Sequence, residues 1–321
     1  MLITIAIPCY KSSRTVSSVV DDLRSEFTRH PGYDYQIVLV NDGSPDQGET
    51  WRTISALANN DKKITAVDLS KNFGQASAKM AALEHVDGDI LVYMDDDGQH
   101  DPAGVFQLVE AVENGADVAI AAFQGKQHSG FKRFTSWLNS EMLRITVQKP
   151  KELHTSSFAA YNRFIIDRLK TYNSPFVSMF AFILQHTRRI VNVPMEHRAR
   201  MEGQSGYTLK KLFKLWGDGM FCFSTVPLKL IMLGAVCCGG LGGCFLVASL
   251  ILALLSMGWQ TCLILGMMFL LGSVILLSQS LLGEYIGRMY MTQNQLPQYT
   301  VREVISAESE SEGVKLEPVL Q

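Results

Sequence analysis

Short apolar runs at 2–7, 35–40, 64–69, 90–94 and 118–122 alternate with stretches in which apolar side chains recur every three or four positions. Runs of this length, rich in Val and Ile, read as buried strands, and the stretches between them as amphipathic helices. Strand and helix in alternation build βαβ units, which predicts an α/β domain with a mostly parallel, Rossmann-like sheet. Pro102, followed by Val105, Leu108, Val109 and Val112, sets a helix directly behind the fourth run.

The polar residues at the ends of these runs carry the candidate chemistry. The first run empties into Pro8-Cys9-Tyr10, the second into Asn41-Asp42-Gly43-Ser44, the third into Lys71-Asn72-Phe73-Gly74, and the fourth into Asp95-Asp96-Asp97-Gly98-Gln99. All four ends fall on the carboxyl edge of the predicted sheet, where open α/β sheets bind ligands. Three adjacent carboxylates repel one another unless something positive sits between them, and a hard divalent cation with an oxygen-rich substrate meets that need. The plainer alternative is an acidic turn that caps the next helix, a role open to Asp101 in particular. Asn-Asp-Gly-Ser is also ordinary turn chemistry, and Gly74 can simply start a helix. No GxGxxG follows the first strand and no GxxxxGK[ST] occurs, so phosphates have to be handled by metal and cationic side chains.

The pattern changes in the second half. Apolar residues make up 47% of the chain and charged residues only 19%, and the deficit is local: 230–283 contains no Asp, Glu, Lys or Arg. That length accommodates two membrane helices of ~20 residues each, at 230–255 and 261–283. Ahead of them, 208–225 interleaves Lys210, Lys211 and Lys214 with Leu209, Phe213, Trp216 and Phe221, as an interfacial helix does. Lys229 and Arg288 flank the spans, whereas the link 256–260 holds no Lys or Arg. The positive-inside rule then places both flanks and both termini in the cytoplasm, at the inner membrane. The expected organisation is a catalytic domain at 1–205, juxtamembrane helices at 206–228, a two-helix transmembrane hairpin at 229–283, and a juxtamembrane segment with a disordered acidic tail at 284–321. Gly239 and Gly243 offer a close-packing face, and with it a homo-oligomer, though glycine is common in spans generally. The net charge of −2 points away from nucleic acid. The six cysteines, Cys9, Cys222, Cys237, Cys238, Cys244 and Cys262, show no metal spacing and read as reduced packing residues. The first residues lack the basic start of a signal peptide and read as the first strand.

Pro8-x-Tyr10, Asp42-Gly43-Ser44, Asn72-Phe73-Gly74 and Asp95-x-Asp97-x-Gln99 with Pro102, in this order and spacing, resemble the family-2 glycosyltransferases of GT-A fold. The likeness runs from about Ile3 to Tyr299. It is strongest to the branch that loads a sugar onto a polyprenyl phosphate, the dolichol-phosphate mannose synthases and the bacterial undecaprenyl-phosphate glycosyltransferases. The resemblance implies that Pro8, Tyr10, Asp42, Asn72, Asp95, Asp96 and Ser205 bind the nucleotide sugar, and that Asp95, Asp97 and Gln99 gather Mg²⁺ or Mn²⁺. It implies catalytic roles for Asp97, Arg133 and Arg200, and an acceptor-phosphate site at Lys132, Arg133, Ser136 and His154. The spacing leaves Asp96 a bystander to the metal. Lys126, Lys132 and Arg133, read without the resemblance, are also what a solvated basic face looks like. Arg200-x-Glu202-Gly203-x-Ser205-x-Tyr207 resembles the family's flexible loop beside the diphosphate, and reads equally as a surface turn.

Some positions depart from the family pattern. Lys11-Ser12 stand where it often has Asn-Glu, Asn41 stands where it often has Asp, and His154 stands where an aspartate often precedes Phe158. The implied reaction is inverting transfer of a sugar, from a UDP-sugar, to undecaprenyl or another polyprenyl phosphate in contact with membrane lipid. Two alternatives stay open: a processive polysaccharide synthase, whose Gln-x-x-Arg-Trp motif is met here only by Gln185-His186-Thr187-Arg188-Arg189, and an inactive membrane scaffold.

Overall fold

The computed structural model describes residues 1–123, 144, 149–196, 260–293 and 297–306. The strands of the domain are β1 (Leu2–Cys9), β2 (Asp34–Asn41), β3 (Ile64–Leu69), β4 (Ile90–Tyr93), β5 (Val118–Phe123), β6 (Ala159–Asn162), β7 (Ile190–Met195) and β8 (Val301–Ile305). The described helices are α1 (Val16–Arg29), α2 (Glu49–Asn60), α3 (Gln75–Leu83), α4 (Ala103–Glu113), α5 (Arg163–Lys170), α6 (Met179–His186) and α7 (Gln260–Gln293).

One sheet of eight strands runs in the order β7-β5-β6-β4-β1-β2-β3-β8. The central four, β3, β2, β1 and β4, are parallel, so their carboxyl ends share an edge. Beyond them β6 runs antiparallel to β4 and β5, and β8 runs antiparallel to β3. The sheet is thus more mixed than the βαβ alternation alone predicts.

Strand residues alternate between two cores. Ile3, Ile5, Ile7, Ile37 and Leu39 pack with α1, α2 and α4 on one face. Ala6, Val38, Val40, Leu91 and Tyr93 pack with α3, α5 and α6 on the other. A strand covered on both faces has to be apolar throughout, which is why the early runs show no polar alternation.

Two expectations change in the second half. Val301–Ile305, assigned by sequence to a juxtamembrane segment and tail, forms β8, with Ala66 opposite Ile305 and Val67 opposite Val304. The edge amides of β3 supply the pairing partners that a short, charge-bearing run such as Val-Arg-Glu-Val-Ile does not advertise. The helix expected to end near Gly283 continues to Gln293, because nothing between them breaks it and Arg288 bridges Glu284 one turn back at 2.8 Å. Among the described residues no helix is long and apolar enough to cross a membrane. Those residues omit 206–259, where the interfacial helix and the first span were expected, and many side chains in the uncharged half of α7.

Candidate active site

The parallel strands deliver four loops to one edge, and hydrogen bonds between those loops build the site. Asp42, 4% exposed, follows β2 and turns towards the loop after β3. Its carboxylate accepts the backbone N–H groups of Phe73 at 2.8 Å and Gly74 at 3.0 Å, and the Asn72 side-chain amide at 3.2 Å. Burial raises its pKa to about 6, against the pull of the two backbone donors. Gly43 makes this approach feasible. It has φ +56, and a Cβ there would lie 2.2 Å from the Lys71 carbonyl carbon.

Tyr10, at the end of β1, is 45% exposed, a flat aromatic surface beside the polar edge. Its backbone N–H donates to Ser12 Oγ at 2.8 Å and to Asp96 Oδ2 at 3.1 Å, and the Ser12 hydroxyl donates to the same Asp96 oxygen. Burial raises the Asp96 carboxyl above the usual range and the neighbouring Asp95 charge adds to that, while the Ser12 and Tyr10 donors oppose it. Outside the metal set, Asp96 has a structural tie: its carboxylate joins the β4 loop to the β1 loop and holds the segment that presents Tyr10.

Asp95 faces elsewhere. Gln75, the first residue of α3, donates to its Oδ1 at 2.8 Å, and the Ser157 hydroxyl donates to its Oδ2 at 2.6 Å. Its backbone N–H donates to His100 Nδ1 at 3.0 Å, which places the ring proton on Nε2. His100 is buried and stacks against Phe158 and Phe123, with ring centroids 4.7 and 5.6 Å away. Lys79 donates to the Ser157 carbonyl at 3.1 Å. Burial lowers its ammonium pKa, and the charge of Asp95 opposes that shift. Asp97 Oδ1 accepts from the Gln99 backbone N–H at 3.1 Å, a local turn within the acidic motif. Asp101 accepts from the Ala103 N–H at 3.0 Å and so takes the helix-capping role its position suggested.

An edge of this kind, with a buried carboxylate, an exposed tyrosine and an acidic turn on successive parallel strands, suits a nucleoside diphosphate and its cation. The model of glycosyl transferase family 2 matches residues 4–185, from the start of β1 to the last turn of α6. The chain belongs to glycosyltransferase family 2. Membership makes it a glycosyltransferase that works with a nucleotide sugar, and the mixed sheet is the GT-A arrangement of this family. Similar solved structures include glucosyl-3-phosphoglycerate synthase from Mycobacterium tuberculosis with Mn²⁺, uridine diphosphate and phosphoglyceric acid. It is 19% identical, over 67% of this chain and 74% of that one, at TM-score 0.48. Mannosyl-3-phosphoglycerate synthase from Rubrobacter xylanophilus is 15% identical over 68% and 71%, at TM-score 0.45.

Of the residues this family-2 glycosyltransferase was expected to use, Tyr10, Asp42, Asn72, Asp95, Asp96, Asp97 and Gln99 come together at the edge. Pro8 is buried within β1, opposite Val40. His154 is exposed and is joined instead to β7. Its N–H donates to Asn192 Oδ1 at 2.8 Å, and its carbonyl accepts from the same amide at 3.1 Å. Lys126, Lys132, Arg133, Ser136, Arg200 and Ser205 lie outside the described residues. Among those described, no group of three or more His, Cys, Asp or Glu is placed to hold a metal. Asp95, Asp97 and Gln99 offer two carboxylates and an amide, a hard-oxygen set that fits Mg²⁺ or Mn²⁺ when donor oxygens complete the shell. Cys9 is buried and free, as a packing cysteine should be. Sequence reasoning missed Gln75, Lys79, His100 and Ser157. His100 closes the acidic motif and could have been flagged, whereas Gln75, Lys79 and Ser157 carry no local signal.

Proposed function

We propose that this family-2 glycosyltransferase moves a sugar from a UDP-sugar to a polyprenyl phosphate at a membrane surface. The convergence of Tyr10, Asp42 and the Asp95–Asp97 turn on one sheet edge supports the donor half. Tyr10 offers a face to the base. Three donors leave one of the roughly four lone-pair positions of Asp42 for a base or ribose hydrogen bond. Asp95, Asp97 and Gln99 would hold the divalent cation, which when bound neutralises charge gathering on the departing diphosphate.

The acceptor half is supported by the uncharged stretch 230–283 and by apolar side chains that α7 leaves in the open, among them Ile264, Met268, Leu271, Ile275 and Ile286. Exposed apolar side chains of this kind, with Arg288 on the same helix and Lys210, Lys211 and Lys214 preceding the uncharged stretch in sequence, suit a lipid-borne acceptor. A phosphate acceptor also makes no demand for a general base. Its oxygen is already anionic and needs no deprotonation before it attacks the anomeric carbon. The new carbon–oxygen bond forms as the bond to the nucleoside diphosphate breaks, from the opposite side, with inversion. Lys132, Arg133 and Ser136 are assigned to the acceptor phosphate by sequence alone.

The test is to incubate membranes carrying the chain with a panel of nucleotide sugars, offering undecaprenyl phosphate and 3-phosphoglycerate in parallel, and to identify products by mass spectrometry. A glycosylated lipid phosphate is expected. A product on phosphoglycerate alone, or long polymer, would overturn the acceptor assignment and leave the donor site standing.

A further inference from the structure

Asp95 is tethered at both carboxylate oxygens and at its backbone N–H, and the three tethers come from separate elements. Gln75 reaches Oδ1 from the start of α3 at 2.8 Å, Ser157 reaches Oδ2 from the segment ahead of β6 at 2.6 Å, and His100 takes the backbone N–H at 3.0 Å from the turn before α4. Ser157 is itself anchored. Its carbonyl accepts from Lys79 Nζ at 3.1 Å, and that ammonium stands 4.9 Å from the centroid of the buried Tyr93 ring.

The rotation of a carboxylate about its last torsion is broad and nearly free, so an untethered aspartate spreads its lone pairs over many directions. Two donors, one on each oxygen, remove that freedom. Each oxygen keeps a second lone pair, so the grip leaves the carboxylate able to bind a cation. Outer-shell partners of metal-binding carboxylates act in this way, and their loss typically weakens metal binding by roughly 10- to 100-fold.

We infer that Gln75 and Ser157 are positioning residues for the divalent cation: they grip the two oxygens of Asp95 from opposite elements and hold its remaining lone pairs in one orientation. The inference rests on the reading of Asp95 as a metal ligand, and it extends the site to two side chains that no motif in the chain marks.

The experiment titrates Mn²⁺ into the purified full chain with saturating UDP and follows free and bound Mn²⁺ by electron paramagnetic resonance. Ser157→Ala and Gln75→Ala are each expected to weaken Mn²⁺ binding roughly tenfold, the double variant up to ~100-fold, with a broadened bound-Mn²⁺ spectrum. The KM for Mn²⁺ should rise in step, and the thermal midpoint without metal should stay at the wild-type value. Ser157→Thr, which keeps the hydroxyl, should retain wild-type affinity. Wild-type affinity and line shape in both alanine variants would overturn the inference, as would equal losses in Ser157→Ala and Ser157→Thr, which would make the effect one of packing. A wild-type chain that binds no Mn²⁺ with UDP present would instead remove the metal reading itself, and the inference with it.

Discussion

Lowering the pH from 7.5 to 5 should weaken donor binding roughly tenfold through one residue, Asp42. Burial holds its pKa at about 6, and the ionised carboxylate accepts a hydrogen bond from the base or ribose far more strongly than the protonated acid. One pH unit below that value leaves about a tenth of the sites ionised, and each unit of pH corresponds to about 1.4 kcal/mol. The sign for stability runs the other way. The folded chain keeps this proton after the unfolded chain, near the model-peptide value of 3.8, has lost it. The cost of ionising buried Asp42 is therefore absent below pH 3.8, grows between there and about 6, and is full above, where it reaches about 3 kcal/mol. Site and fold thus make opposite demands on one proton. The assay is calorimetric titration of UDP-glucose from pH 5 to 7.5. This donor is suitable because its diphosphate is a diester with no group titrating near 6. In Asp42→Asn binding should be weaker throughout and flat with pH, while the stability difference between variant and wild type moves in the variant's favour as pH rises from 4 to 7. A wild-type affinity independent of pH, or the same slope in Asp42→Asn, would refute the argument.

Other expectations follow from the same edge. Asp97→Asn should reduce turnover far more than Asp96→Asn, whereas Asp96→Ala should cost about 1–3 kcal/mol in stability by removing the acceptor of the Ser12 hydroxyl and one acceptor of the Tyr10 N–H; equal activity losses at 96 and 97 with unchanged thermal midpoints would contradict both halves. Gly43→Ala forces a Cβ against the Lys71 backbone at φ +56 and should destabilise by at least about 2 kcal/mol, with weaker donor binding, measured by thermal unfolding and by UDP-glucose titration. A chelator should abolish transfer and Mn²⁺ or Mg²⁺ restore it, and full activity in excess chelator would remove the metal role.

The early strands were legible because burial on both faces forces continuous apolar runs. All five predicted runs end within two residues of the observed strands, and the run at 64–69 coincides with β3. Loop chemistry was legible in kind but not in partner. Asn72 and Asp42 could each be flagged, yet that one caps the other depends on the close approach that Gly43 permits. The ties of Asp96 were not legible because its partners, Ser12 and the Tyr10 N–H, are more than 80 residues away in sequence. β6 escaped notice because Ala-Ala-Tyr-Asn is four residues long with little β-branched content, and Gln75 and Ser157 because a single polar residue acquires meaning only from what faces it.

β8 has a consequence for how this chain is made. Arg302 reaches back to Ser70 across 232 residues of sequence. Synthesis at ~5–20 residues per second leaves the β3 edge unpaired on the order of ten seconds or more after it emerges. Through that interval the nascent sheet carries an open edge, the surface on which stray strands add. The polypeptide can close it only after the apolar stretch 230–283 has been translated. Completion of the catalytic sheet is thereby timed to follow delivery of that stretch, and a ribosome stalled before codon 301 would release a domain with its catalytic loops in place but its outer edge still adhesive.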